Sequence, residues 1–323
     1  MNKEKAYWVY TKMNEIRKFE DQVHKIFSTG SIPGFVHLYA GEEAIAVGVC
    51  AHLNEKDYIT STHRGHGHCI AKGCDLNGMM AEIFGKETGL CKGKGGSMHI
   101  ADLDVGMLGA NGIVGGGFPL AVGAGLTAYV EGTDGVTVCF SGDGANNHGT
   151  FHEGINIAAA LKLPVIFVVE NNGFGEATPF EYATSAKSIV DRAIAYDIPG
   201  VKVDGKDIVA VYETAKEAVK RARNGEGPTL IEAVTYRNYG HFEGDSQTYK
   251  SSSDKQKWPV EEDCIEKFKG YALEKSLLTE AEVETIERNV EEAVTEAVLF
   301  AENSSQPSPE TLTENVYVNY KLS

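Results

Sequence analysis

The chain has 323 residues, of which 42% are hydrophobic, so it is long enough to bury a sizeable core in one large or two ordinary domains. Its formal net charge of −16 argues against nucleic acid and anionic membranes as partners, and any phosphate site must therefore gain its positive charge locally. No apolar run approaches the roughly 18 residues of a membrane span, and no signal-peptide pattern is present. The six cysteines form no CxxC pair, which predicts a cytoplasmic chain with free thiols.

Hydrophobic periodicity predicts that the first part of the chain is mostly helical. Apolar residues recur every three or four positions over residues 3–29, which predicts an N-terminal helix that ends near Gly30. Shorter helices are predicted at 41–53, 79–85 and 120–130. Residues 86–119 are rich in glycine and lack a clear period, and a long segment of this kind inside a compact domain usually carries function.

The middle of the chain has the pattern of a parallel sheet covered by helices. Apolar runs at 136–140 and 164–170 predict buried strands, and residues 147–163 predict the helix of a strand–helix–strand crossover. The same order of strand, helix and strand recurs at 201–203, 206–223 and 229–236. We therefore predict a doubly wound α/β fold, with a mostly parallel sheet and helices on both faces.

The two ends of the chain are predicted to extend this fold. We expect residues 1–323 to form a single α/β domain, with a helical N-terminal segment at 1–30 and a helical C-terminal segment at 258–323. Residues 242–257 are strongly polar, which predicts an exposed and mobile loop.

An acid, Asp143, stands in a loop that otherwise has the form of an anion site. The sequence "VTVCFSGDGANNHGTFHEG" leads from a buried strand through a glycine-flanked turn into a helix, as phosphate loops usually do. Because a right-handed crossover brings both strand ends to one edge of the sheet, we expect Asp143 and Asn172 to be neighbours. Carboxylate and amide oxygens are hard ligands that suit Mg²⁺ or Ca²⁺ rather than zinc. Asp143 can therefore hold a cation that binds the phosphate, while the amides of Gly144 and Ala145 face the same anion. Gly-Asp-Gly alone would be an ordinary turn with the acid as helix N-cap.

Several motifs in the same order make the chain resemble a known family. The segment "GDGANNHGTFHEGINIAAALKLPVIFVVENN" is similar to the thiamine diphosphate motif, in which Asn-Asn follows Gly-Asp-Gly one strand later. The other matching stretches are "GFVHLYAGEEAIAVG" (34–48), "TSTHRGHGHCIAKG" (60–73), "GKGGSMH" (93–99), "GANGIVGGGFPLAVGAGL" (109–126) and "YRNYGHFEGD" (236–245). The chain thus resembles the α subunits of the 2-oxo acid dehydrogenase family over about residues 10–300.

This resemblance implies two cofactors, thiamine diphosphate and Mg²⁺, and assigns residues to both. Asp143 and Asn172 would supply side-chain oxygens to Mg²⁺, and Phe174 would supply its backbone carbonyl. Arg64 would contact the diphosphate through its guanidinium fork, with His63 beside it. The family often has tyrosine in the place of His63, so this contact departs from the usual pattern.

The resemblance also places residues around the two rings of the cofactor. Gly112 and Val114 would present backbone groups to the aminopyrimidine. His37 and His241 would lie near the reactive carbon of the thiazolium, where imidazole nitrogens suit proton transfer to and from a substrate oxygen. We therefore predict His37 and His241 as catalytic residues, with His241 as the base.

The loop after His241 favours one substrate. The sequence "YRNYGHFEGDSQTYK" is similar to the α subunits of acetoin dehydrogenases, whereas pyruvate and branched-chain enzymes tend to carry serines in place of Phe242 and Glu243. A carboxylate at Glu243 would also repel a 2-oxo acid from the mouth of the site. We predict cleavage of acetoin to acetaldehyde, with transfer of the acetyl unit to a lipoyl-bearing dihydrolipoyl acyltransferase. The alternative is a pyruvate dehydrogenase α subunit that decarboxylates pyruvate.

A second subunit is also implied by the resemblance. Family members of this length lack the glutamate that activates the aminopyrimidine, and a separate β subunit supplies it at the interface. We therefore expect an α₂β₂ heterotetramer, in which the glycine clusters at 109–117 and 123–125 allow close packing.

Other interpretations of the sequence are weaker. A nicotinamide-binding Rossmann enzyme would need a GxGxxG after its first strand and an acid about 20 residues further on, which the chain lacks. A zinc site at "HRGHGH" (63–68) is disfavoured because Arg64 would repel the metal, and His148 and His152 have no third ligand nearby in the sequence. A non-catalytic α/β binding module would show no Mg²⁺-dependent binding of thiamine diphosphate.

Overall fold

A five-stranded parallel sheet forms the centre of the computed structural model, which describes residues 1–251 and 263–315. The strands in chain order are β1 (Tyr58–Thr60), β2 (Thr137–Gly142), β3 (Val165–Asn171), β4 (Phe174–Gly175), β5 (Thr178–Pro179), β6 (Gly200–Asp204) and β7 (Thr229–Val234). The order across the sheet is β1-β2-β3-β7-β6, and every neighbouring pair is parallel. Strands β4 and β5 form a separate antiparallel ribbon. The four predicted strands are confirmed, whereas β1 has no counterpart among them.

Helices connect and cover these strands. Within the described residues they are α1 (Lys3–Phe27), α2 (Glu43–Cys50), α3 (His66–Lys72), α4 (Leu76–Ile83), α5 (Gly117–Glu131), α6 (Gly149–Ala160), α7 (Phe180–Ala183), α8 (Ile208–Arg223), α9 (Cys264–Glu274) and α10 (Glu280–Asn303). Short 3-10 helices occur at Asp143–Asn147, Ile189–Tyr196 and Pro309–Thr313. The predicted helices of the first part of the chain correspond to α1, α2, α4 and α5, with ends displaced by a few residues.

Alternate residues of the central strand β3 face two separate apolar clusters. Ile166 and Val168 pack in a cluster with α1, α2 and α8. Phe167 and Val169 pack with α5 and α6 on the opposite face. All four side chains are completely buried, so a helical layer covers each face of the sheet. The predicted doubly wound α/β fold is confirmed.

The C-terminal segment is helical where the structure describes it. Helices α9 and α10 pack against α1, and α10 begins with a capping box between Thr279 and Glu282. The predicted start at residue 258 and the residues after 315 lie outside the described residues, and the single-domain boundary stays a prediction. Among the described residues, none of the helices combines the length and the apolar character needed to cross a membrane.

Candidate active site

A cavity opens at the carboxyl ends of β2 and β3, where the sequence predicted a cation site. The two strands end level with each other, because Gly142 pairs with Glu170 in the register of the sheet. The residues predicted to bind the cofactor all line this cavity: His37, His63, Arg64, Gly112, Val114, Asp143, Gly144, Ala145, Asn172, Phe174 and His241. The fold therefore brings together segments that are far apart in the chain, while the individual roles of these residues stay predictions.

Asp143 has a buried carboxylate oxygen without a partner. The residue is 3% exposed, and its Oδ2 forms no hydrogen bond within the described structure. Burial raises the pKa of this carboxyl to about 6, although a hydrogen bond from the backbone of Gly144 opposes the shift. A divalent cation would satisfy the unpartnered oxygen, which is the property expected of a metal ligand.

The turn that carries Asp143 is not the first turn of an α-helix. Asp143–Asn147 forms a 3-10 helix, and α6 begins only at Gly149, after an extended residue, His148. The predicted helix at 147–163 thus corresponds to α6, with its start displaced by this turn and its end at Ala160. The side chain of Asn146 stabilises the tight turn, because its Nδ2 donates to the carbonyls of Gly142 and Asp143 at 3.2 and 3.0 Å.

Only one of the two neighbouring asparagines faces the cavity. Asn171 is used inside the fold: its Nδ2 donates to Glu232 at 2.8 Å, and its Oδ1 accepts the amide of Gly173 at 3.1 Å. Asn172 lines the cavity instead, and its Nδ2 donates to Oε1 of Glu42 at 2.9 Å. Asn172 therefore lies on the same cavity wall as Asp143, and its role as a metal ligand stays a prediction.

Two buried arginines create positive charge in the cavity. Arg64 and Arg237 are 4% and 2% exposed, and no ion pair joins either of them to a carboxylate within residues 1–251 and 263–315. Arg64 donates to the carbonyl of Leu38 at 2.8 Å and to that of His241 at 2.6 Å. Arg237 donates to the Tyr249 hydroxyl at 2.8 Å, and its Nε has no partner. Burial lowers the pKa of Arg64 to about 10, and the charge of Arg237 adds to the shift.

Arg237 was missed by the sequence interpretation. It lies in the matched stretch "YRNYGHFEGD", four residues before His241, so its position beside a predicted site residue was the available signal. Arg64 and Arg237 together provide the local charge that an anion site in a chain of net charge −16 requires.

Asp245 orders the beginning of the loop that follows His241. Its carboxylate accepts hydrogen bonds from the amides of His241 and Gln247 at 2.7 and 2.8 Å, and from the Tyr249 hydroxyl at 2.7 Å. Residues 242–251 form an irregular loop, as predicted, in which Gly244, Ser246, Thr248 and Ser251 are exposed, whereas the other residues are half-buried or buried. Residues 252–257 lie outside the described residues.

Three histidines meet at one side of the cavity. The ring centroids of His37, His63 and His241 lie 4.6, 5.1 and 5.3 Å apart. Burial lowers the pKa of His37 to about 3, of His63 to about 2 and of His241 to about 4, and the charge of Arg64 adds to each shift. All three imidazoles are therefore neutral near pH 7 in the free chain.

The hydrogen bonds of these histidines favour proton transfer over metal binding. Ring nitrogens of all three lie within 4.8 Å of one another, a spacing that could suit a metal ion. However, Arg64 donates to Nδ1 of His241 at 3.1 Å, so the proton of this neutral ring lies on Nε2, which then cannot act as a ligand. Nδ1 of His37 is buried and without a hydrogen-bond partner in the described structure, and the ring lines the cavity next to His241.

The other histidines of "HRGHGH" are structural. His66 Nδ1 pairs with Glu20 at 3.0 Å, and His68 Nε2 pairs with Glu170 at 3.0 Å. Both rings are completely buried, and only His63 lines the cavity. The alternative of a zinc site at this motif is therefore wrong, since its three histidines have different partners.

The carboxylate of Glu243 does not face the cavity. Its carboxylate pairs with Nδ1 of His24 on α1 at 2.7 Å and does not line the cavity wall. The predicted repulsion of a 2-oxo acid by Glu243 is therefore wrong. The preceding residue, Phe242, does approach the site, with its ring centroid 6.5 Å from that of His37.

Comparison with known proteins places the chain in a family. Residues 11–310 match the dehydrogenase E1 component family. The chain belongs to this family. It is 65% identical to the α subunit of acetoin:2,6-dichlorophenolindophenol oxidoreductase from Bacillus subtilis, over 99% of this chain and 96% of that protein. The α subunit of the same name from Cupriavidus necator is 52% identical, over 99% of this chain and 96% of that protein. The chloroplastic pyruvate dehydrogenase E1 component subunit alpha-3 of Arabidopsis thaliana is 42% identical, over 99% of this chain and 76% of that protein.

Membership in the dehydrogenase E1 family makes the chain part of a thiamine diphosphate-dependent oxidoreductase, as the resemblance implied. The cavity of this E1 component fits such a cofactor. Arg64 and Arg237 are buried without a carboxylate partner among the described residues, so they can bind a diphosphate. The unpartnered oxygen of Asp143 lies on the same cavity wall and can hold the cation that accompanies it.

We expect the neutral histidines to reduce the stability of this E1 component below about pH 6.5. Their folded-state pKa values are depressed, so the unfolded chain binds protons first as the pH falls. Each group can cost up to about 1.4 kcal/mol per pH unit between its unfolded and folded pKa. His63→Gln removes one of the three contributions, so its Tm should fall less between pH 7 and pH 5 than that of the wild type. His99→Gln, at an exposed histidine, is the control, and equal losses in wild type and His63→Gln would contradict the expectation.

Proposed function

We propose that the chain is the α subunit of an acetoin dehydrogenase, which uses thiamine diphosphate and Mg²⁺ to cleave acetoin to acetaldehyde. The acetyl unit is transferred to the lipoyl group of a dihydrolipoyl acyltransferase. The observation that carries this proposal is the sequence identity, which is much higher to the two acetoin oxidoreductase α subunits than to the pyruvate dehydrogenase chain.

The residues of the cavity can hold the cofactor at its charged end. Thiamine diphosphate, when bound, supplies a nucleophilic carbon that adds to a carbonyl and takes up the electrons of the bond that breaks next to it. Arg64 and Arg237 bind the diphosphate charge, and the side-chain oxygens of Asp143 and Asn172 hold Mg²⁺ together with the backbone carbonyl of Phe174. The unpartnered Oδ2 of Asp143 supports this assignment.

His241 and His37 have different roles in proton transfer. Because Nδ1 of His241 accepts from Arg64, its Nε2–H donates to the substrate oxygen that gains negative charge. The His37 ring lines the cavity beside His241 and accepts the hydroxyl proton of acetoin as acetaldehyde leaves. Arg64 contributes to the low pKa of His37, so an anion that neutralises this guanidinium raises the pKa toward the range of a useful base. The base in this proposal is therefore His37, whereas the sequence analysis predicted His241.

The walls near these histidines suit an uncharged substrate. Burial keeps the three imidazoles neutral, and the Phe242 ring lies close to two of them, with centroids 6.5 Å from His37 and 6.4 Å from His241. In this proposal Arg64 and Arg237 bind the diphosphate, so neither guanidinium remains to pair with a substrate carboxylate. This environment favours acetoin over pyruvate.

A β subunit that covers one side of the chain is part of the proposal. Helix α5 leaves Leu120, Tyr129 and Val130 exposed, and the cavity wall itself exposes Ile113 and Val114. Exposed apolar side chains on this helix and on the cavity wall favour a protein partner, as in an α₂β₂ heterotetramer. All six cysteines are free, which agrees with a cytoplasmic location.

A substrate comparison tests the proposed function. We expect the reconstituted α₂β₂ enzyme to reduce a redox dye with acetoin at a kcat/KM at least about tenfold above that with pyruvate, because a substrate carboxylate would lack a partner. The control omits thiamine diphosphate and should show no turnover with either substrate. Faster turnover of pyruvate would favour the alternative, a pyruvate dehydrogenase α subunit.

A further inference from the structure

Glu42 holds the amide of Asn172 at the cavity wall. Its Oε1 accepts a hydrogen bond from Nδ2 of Asn172 at 2.9 Å. Glu42 is 1% exposed, so water competes little for this contact, and Glu42 and Asn172 both line the cavity. The interaction is thus a buried link between α2 and the end of β3.

The backbone before Glu42 fixes its position. Gly41 has φ +101°, a conformation that side chains disfavour, and a Cβ there would lie 2.6 Å from the carbonyl of Tyr236. The amide of Gly41 also donates to the carboxylate of Glu43 at 3.0 Å. The turn into α2 is therefore tightly constrained, and Glu42 cannot easily move away from Asn172.

The contact determines which end of the Asn172 amide faces the cavity. An asparagine amide can present either its NH₂ group or its oxygen, and nearby hydrogen bonds decide between them. Because Glu42 accepts from Nδ2, Oδ1 must lie on the opposite branch of the amide. In the described structure Oδ1 receives only a long hydrogen bond of 3.4 Å, from the amide of Phe174.

The neighbouring asparagine, Asn171, makes a similar hydrogen bond to a buried glutamate, but its amide oxygen has a partner within the fold. Asn171 Nδ2 also donates to a buried glutamate, Glu232, but its Oδ1 accepts the amide of Gly173 and is fully used within the fold. Of these two asparagines, only Asn172 lines the cavity, and its Oδ1 receives only the long hydrogen bond from Phe174 in the described structure.

We propose that Glu42 is a positioning residue for the cation site, which turns Oδ1 of Asn172 toward the cation that Asn172 shares with Asp143. This inference rests on the Mg²⁺ of the proposed function. The role needs an oxygen that accepts a hydrogen bond, and it does not need a charge. Hydrogen bonds that orient ligands in this way commonly change metal affinity by about 10- to 100-fold when they are lost.

Two substitutions of similar size separate orientation from charge. Glu42→Met removes the acceptor, so the α₂β₂ enzyme should need about 10- to 100-fold more Mg²⁺ for half-maximal binding of thiamine diphosphate. Glu42→Gln keeps an acceptor oxygen and should stay within about threefold of the wild type. Binding is followed by isothermal titration calorimetry at a series of Mg²⁺ concentrations, and thermal unfolding confirms that each variant is folded.

The outcomes distinguish this inference from the proposed function beneath it. The same Mg²⁺ requirement in Glu42→Met and wild type would overturn the positioning role. Equal weakening in Glu42→Gln and Glu42→Met would also overturn it, because the charge would then matter and not the orientation. Cofactor binding by the wild type that does not depend on Mg²⁺ would overturn the proposed cation itself, and the inference with it.

Discussion

Asp143→Ala is expected to abolish measurable acetoin-dependent dye reduction by the α₂β₂ enzyme. The substitution removes a buried oxygen that has no partner in the described structure, so a cation at this place would lose a direct ligand. Loss of a direct ligand should exceed the roughly 10- to 100-fold loss of metal affinity that follows removal of an outer contact. Without the cation, Arg64 and Arg237 alone would have to neutralise the diphosphate.

A milder substitution shows whether the loss of activity is caused by weaker binding of the cation. Asp143→Asn keeps one neutral oxygen ligand, so binding of thiamine diphosphate should weaken most at low Mg²⁺ and recover in part at high Mg²⁺. Asp104→Asn removes the same charge at an exposed position and serves as the control. Equal binding by Asp143→Asn and wild type across a Mg²⁺ titration would show that the carboxylate does not hold a cation.

The isolated chain is expected to bind thiamine diphosphate weakly and to have no measurable turnover. Val114 on the cavity wall is 44% exposed, and the adjacent Ile113 is 73% exposed, so one side of the site lacks a cover. On α5, Leu120, Tyr129 and Val130 are also exposed, at 54%, 59% and 73%. Exposed apolar side chains on the wall of an open cavity are expected where a second subunit completes the site.

Recombination of the two subunits checks this expectation. Addition of separately purified β subunit to the same preparation should restore full dye reduction, which also shows that the isolated chain was folded. Light scattering follows the formation of the heterotetramer in parallel. Full activity of the isolated chain would contradict the need for a second subunit.

Local sequence patterns determined the main elements of the fold. The apolar runs that became β2 and β3 are predictable because a strand buried on both faces cannot alternate polar and apolar residues. Asp143 and Asn172 follow directly from these strands, since parallel strands joined by a right-handed crossover end at one edge of the sheet. The family resemblance supplied the remaining predicted residues of the cavity, and the match over residues 11–310 confirms that family.

Boundaries and loops were less predictable, because competing local interactions decide them. The start of α6 at Gly149 depends on the side chain of Asn146, which stabilises a 3-10 turn that periodicity does not reveal. The conformation of residues 242–251 depends on the hydrogen bonds of Asp245 with His241 and Tyr249. The polar character of this segment predicted a loop but could not show these contacts. In both cases a polar side chain binds nearby groups of the chain in place of water.

The sequence by itself therefore determined the α/β architecture, the family and the pair of strand ends that carry Asp143 and Asn172. Only the tertiary structure decided that Arg237 joins the site, that Glu243 turns away to His24, and that Glu42 holds the amide of Asn172. Strands and helices follow from interactions between residues a few positions apart. Glu243 and Glu42 bind partners from distant segments, and Arg237 lines a cavity built from segments that are far apart in the chain, so these arrangements exist only once the chain has folded.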